Sequence, residues 1–68
     1  GLDEYYKILD CVPGSSDAEI KKAYREKTME SHPDKIPKDA PEWIRNAANE
    51  RFAKIQEAYE KIRGIRNF

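Results

Sequence analysis

The sequence predicts a small all-α domain: an antiparallel helical hairpin with a short N-terminal helix covering one side. Three observations carry that prediction. Apolar residues recur at helical spacing in two long segments, a serine–glutamate capping pattern opens the first of them, and a connector rich in proline separates the two. A chain of 68 residues has room for one core and no large internal pocket, since a domain this size buries only about 60% of the surface its unfolded chain exposes.

Asp3 can cap a first helix over about residues 3–10, in which Tyr5, Ile8, Leu9 and Val12 follow helical spacing. Pro13 and Gly14 then break the chain. Ser16 and Glu19 form the capping box of a second helix over about residues 17–31, with Ile20, Ala23, Tyr24 and Met29 as its inward stripe. Pro33 lacks a backbone donor and disfavours helical geometry at His32, so this helix stops at or before His32.

A loop over about residues 32–41 holds His32, Pro33 and Asp34 at the exposed tip of the hairpin, and Pro41 suits the first turn of the next helix. That third helix, over about residues 42–63, is the longest. Its apolar face runs through Trp43, Ile44, Ala47, Ala48, Phe52, Ile55, Ala58, Tyr59 and Ile62. Gly64 is the expected stop, with Arg63 placed where a cation suits a helix end.

Composition narrows the function. Thirteen Lys plus Arg balance 13 Asp plus Glu, leaving no overall basicity to draw nucleic acid or a membrane surface nonspecifically. Cys11 stands alone, which rules out an intrachain disulfide and a cysteine zinc site, and fits a reducing compartment with Cys11 as a partly buried small hydrophobe. No run approaches the ~20 apolar residues of a membrane span, and no signal peptide is visible. Gly1 in place of an initiator methionine suggests a processed tag or an excised piece of a longer chain.

His32 and Asp34 invite a catalytic or metal-binding reading. Catalysis would also need a nucleophile or activated water and a means of stabilising charge, and the loop offers no pocket for them. Two ligands fall short of the three protein ligands usual for catalytic zinc. A docking tip fits better: Pro33 lowers the ordering cost of the loop, Asp34 can accept a charge-assisted hydrogen bond, and His32 can orient the turn or touch the partner. Lys21, Lys22 and Arg25 form a basic strip leading toward this tip, suited to an acidic partner surface despite the intervening Glu26. A helix-turn-helix is disfavoured by the zero net charge and the long connector.

The succession EYYKIL, AEIKKAYRE, HPDK and RFAKIQEAYEKI resembles the J-domain of the DnaJ co-chaperone family from Asp3 through Ile62. This resemblance implies a module that docks on an ATP-bound DnaK-type heat-shock chaperone and stimulates its ATP hydrolysis and client capture. It implies no bond chemistry, cofactor or metal in the domain itself. Carried over residue by residue, it assigns partner contacts to His32, Pro33, Asp34 and Lys35, and to the basic surface of Lys21, Lys22 and Arg25. A J-like docking domain without ATPase stimulation is the alternative.

Several positions depart from the family pattern. Lys27 stands where an inward leucine is common, so its stem is expected to cover apolar surface while its amine reaches water. Glu26 replaces a basic residue, and Ser31 an aromatic one. The elongated KDAPEWIRNAANERF segment is similar to that of the membrane-linked, DjlA-like group, which implies a cytoplasmic domain or the cytoplasm-facing part of a membrane-linked parent. Trp43, within that segment, can pack across the hairpin or, if exposed, meet a partner. The closing GIRNF leaves little room for the further helix of many relatives.

Overall fold

Ser16 sets where the second helix begins. Its hydroxyl accepts the Glu19 N–H at 3.1 Å, and the Glu19 carboxylate accepts the Ser16 N–H at 2.9 Å, so two orphan donors are satisfied reciprocally. The computed structural model describes residues 3–68. Along them the chain forms α1 (Asp3–Ile8), α2 (Asp17–Ser31), a 3-10 turn (Pro33–Lys35) and α3 (Glu42–Arg66), with no strand among the described residues.

α3 is the wall on which the rest is built. Both α1 and α2 pack against it, burying Tyr6, Leu9, Ile20, Ile55, Ala58 and Ile62 as one core. Burying each of the large aliphatic side chains contributes about 1.5–3 kcal/mol. The 25 residues of α3 rise about 38 Å at 1.5 Å each, which accounts for the 40 Å long axis of the molecule. Cys11 is half-buried beside this core, and its burial pushes the thiol pKa up, with neighbouring Asp10 adding to the effect. It is therefore a weak nucleophile at neutral pH.

Several expectations are corrected, and the first residue of the expected apolar face of the third helix is among them: Trp43 is 72% exposed. The first helix ends at Ile8 because Asp10 turns into the left-handed region at φ 58°. The Leu9 and Cys11 N–H groups then both donate to the Tyr6 carbonyl, at 3.1 and 2.8 Å. Helical periodicity stops there, so Leu9 is buried while Val12 is 62% exposed. Asp3 is itself the first helical residue, and its cap position lies outside the described residues.

Met29 is 65% exposed rather than inward. It lies nine positions beyond the buried Ile20, about two and a half turns, and so emerges on the opposite side of α2; Lys27 and Ser31 occupy the inward positions instead. The third helix continues through Gly64, despite a propensity cost of about 1 kcal/mol, because Arg66 is bonded on the far side of the fold. The stop is Asn67, at φ 61° and ψ 47°, whose N–H donates to the Arg63 carbonyl at 2.7 Å. Asparagine tolerates this left-handed cap nearly as well as glycine. Pro41 is the residue immediately before α3, extended, with its carbonyl accepting the Ile44 and Arg45 N–H groups at 3.0 and 3.3 Å.

Candidate partner-binding site

The end of α2 and the 3-10 turn build the tip. His32 leaves helical geometry at ψ 131°, as a residue before proline must, and Pro33 opens the turn. The His32 Nδ1 accepts the Asp34 N–H at 3.2 Å. Its ring meets the ring of Phe52 on α3 edge-to-face, with centroids 5.5 Å apart. The imidazole is thus fixed on one side by an aromatic contact and on the other by the backbone of its own turn.

Asp34 lies beside this imidazole and is open to solvent. Its side chain is 91% exposed, with one carboxylate oxygen 3.5 Å from the His32 Nδ1. Lys35 closes the turn and is exposed. Behind the turn, Arg45 of α3 donates to the Lys38 and Pro37 carbonyls and anchors the connector. The backbone that presents Asp34 is held at both ends, which limits the entropy lost when a partner engages the carboxylate.

Lys21, Lys22 and Arg25 are exposed on α2, and of their side chains only that of Lys21 has an intramolecular engagement among the described residues. Its amine lies 5.0 Å from the Phe68 ring centroid, a cation–π distance. Phe68 packs in turn against Tyr59, which stacks on Tyr24 with centroids 3.8 Å apart and planes 1° from parallel. An aromatic ladder therefore runs from the interface between α2 and α3 out to the basic strip. Sequence reasoning missed Phe52, Arg45 and Phe68 as supports. Phe52 alone carried a signal, since it precedes Tyr59 by seven residues on the same helix face.

The substituted positions have local solutions. Lys27 has a largely covered side chain, 17% exposed, and its amine pairs with the Asp10 carboxylate and lies 3.7 Å from Glu30. The hydrogen bond to Asp10 raises the Lys27 pKa above the ordinary lysine range, more than burial lowers it. Ser31 is buried, and its hydroxyl has no hydrogen-bond partner among the described residues. A small residue here leaves a hollow of about 220 Å³ bordered by Ile36, Ala48 and Arg51, space that a larger side chain would fill. Glu26 is exposed beside the basic strip.

Arg66 ties the far end together. Its guanidinium donates to the Tyr6 hydroxyl at 3.1 Å, the Asp17 carboxylate at 2.9 Å and the Pro13 carbonyl at 2.8 Å. One side chain thus joins α3 to α1, to the turn after it and to the start of α2. The bonds to Tyr6 and Asp17 hold its pKa above the usual arginine range.

The family model of the DnaJ domain matches residues 4–64. The chain belongs to the DnaJ domain family. This J-domain is 49% identical over 61 residues to the chaperone protein DnaJ of Protochlamydia amoebophila, covering 90% of the chain and 14% of that relative. It is 40% identical over 68 residues to the co-chaperone protein DjlA of Vibrio parahaemolyticus, covering 98% of the chain and 24% of the relative. With the DnaJ-like protein 1 of Saccharomyces cerevisiae it shares 47% identity over 59 residues, 87% of the chain and 12% of the relative. The J-domain therefore spans a quarter or less of each of these proteins. No solved structure gives a significant match. Among the described residues no helix is long and apolar enough to cross a membrane.

Proposed function

We propose that this J-domain docks on the ATP-bound form of a DnaK-type heat-shock chaperone and stimulates its ATP hydrolysis and client capture. The observation that carries the reading is the division of labour at the tip. His32, about half exposed, is held by the Phe52 ring and its own backbone, while the Asp34 side chain is 91% exposed. Asp34 is the contact for a cation on the chaperone, Pro33 fixes its approach, and His32 maintains the turn. Lys35 and the strip of Lys21, Lys22 and Arg25 guide encounter with an acidic surface and set the register.

The domain supplies no bond chemistry in this scheme. It acts by population shift: it must bind the hydrolysis-competent conformation of the chaperone more tightly than the others, since equal affinity for all would move nothing. Client recognition then belongs to a longer parent. Similarity to DjlA supports a membrane-linked parent with this domain facing the cytoplasm.

Single-turnover ATP hydrolysis by a DnaK-type chaperone tests the proposal. The domain should accelerate turnover, and His32→Gln and Asp34→Asn should abolish the effect while helix content by circular dichroism is unchanged. No acceleration across several such chaperones, with the domain still binding them, would replace this reading with docking alone, a role the exposed Glu26 within the basic surface would suit.

A further inference from the structure

A second flank of the hairpin carries features that the tip does not use. Trp43 is 72% exposed, and Trp43, Ala47, Glu50 and Lys54 follow one another at four- and three-residue spacing along one stripe of α3. Arg45, which anchors the tip loop, lies nine positions before Lys54, about two and a half turns. The stripe therefore faces away from the side of α3 that holds the tip.

Beside the stripe is a hollow of about 350 Å³ between the three helices. Ile8, Ala47 and Ile55 supply its apolar part, and Lys27, Arg51 and Lys54 surround it with cations against one carboxylate, Glu50. Lys27 is engaged by Asp10. Arg51 and Lys54 make no ion pair among the described residues. An apolar recess under two uncommitted cations, in line with an exposed indole, has the anatomy of an anchor pocket: an apolar side chain enters, carboxylates meet the rim, and the indole covers the edge. The concavity decides between partners, because a bilayer surface would receive Trp43 but leave the recess empty.

We infer that this flank is a second docking surface, for an acidic peptide segment with a bulky aliphatic anchor. The aliphatic side chain fills the space over Ile8 and Ile55, and flanking Asp or Glu carboxylates pair with Arg51 and Lys54. Because the tip lies on the other side of α3, both surfaces can be occupied together.

Trp43 is the only tryptophan, so its emission reports directly on the flank. The probe is a synthetic peptide of about twelve residues, glutamates around a central Leu–Leu pair, titrated into the 68-residue chain. A saturable blue shift is expected. Affinity should fall at least ~10-fold in the Arg51→Glu/Lys54→Glu variant and for a peptide with alanines in place of the leucines, and should be unchanged in Asp34→Asn. Absence of a saturable shift overturns the inference. So does equal binding of a peptide with lysines in place of glutamates, or undiminished affinity in the charge-reversed variant with its helix content intact. A blue shift with phosphatidylserine vesicles and none with the acidic peptide would assign the flank to a membrane surface instead.

Discussion

The imidazole of His32 and the backbone of Asp34 form one unit: Nδ1 accepts the Asp34 N–H at 3.2 Å, and an Asp34 carboxylate oxygen lies 3.5 Å from the same nitrogen. When Nδ1 accepts this bond, the ring proton of the neutral imidazole sits on Nε2. Phe52→Leu, which removes the edge contact while keeping an apolar side chain, should reduce chaperone stimulation several-fold with little change in fold.

Removing the Ser16 hydroxyl tests the start of α2. Ser16→Ala should lower stability by about 1 kcal/mol in urea titrations, with the slope unchanged. The Glu19 pKa is held below the usual carboxylate range, first by its hydrogen bond from the Ser16 N–H. A depressed folded pKa means its stabilisation is present above the unfolded value of about 4.3 and is lost as pH falls through the folded value. The difference in stability between wild type and Glu19→Gln should therefore shrink with acidification below about pH 4.

Lys27 shifts in the opposite sense. Its folded pKa is raised by Asp10, so its stabilisation is complete below the unfolded lysine value of about 10.4 and is lost as pH climbs through the folded value. Asp10→Asn keeps a residue tolerant of the left-handed backbone while deleting the charge. It should cost about 1 kcal/mol at neutral pH, and the loss should fade as pH climbs through the raised folded value of Lys27. A loss that persists there would assign the effect to the turn rather than the ion pair.

Arg66→Lys should lower Tm by several degrees, since one ammonium cannot reproduce three divergent hydrogen bonds. Hydrogen exchange should quicken most in α1 and the turn after it, because these are what the guanidinium ties to α3. Uniform acceleration over the whole chain would mean the contacts hold no particular element in place.

What was legible beforehand follows the range of the forces involved. The beginning of α2 rests on Ser16 and Glu19, three residues apart, and its end on the adjacent Pro33; both rules act within one turn of chain. The same is true of the tip, whose special geometry lies within His32, Pro33 and Asp34. Arg66 instead finds Tyr6 and Asp17 far back in the sequence, and no local pattern distinguishes it from Arg63. Met29 was misplaced by its chemistry, although its register relative to Ile20 already put it outside. Val12 failed because one left-handed residue at Asp10 cancelled the periodicity used to assign it.

The pairing of Lys27 with Asp10 also has a history-like asymmetry. Asp10 is 72% exposed on its side chain, whereas Lys27 is 17% exposed. If leucine replaced Lys27, Asp10 would keep its water and the apolar stem would keep its place. If Asp10 were lost first, the Lys27 ammonium would be left with only the longer approach to Glu30, 3.7 Å away. Two lineages separated by both changes are therefore joined by one easy order of substitution and one difficult order, and the chain's tolerance of its unusual lysine depends on which neighbour changed last.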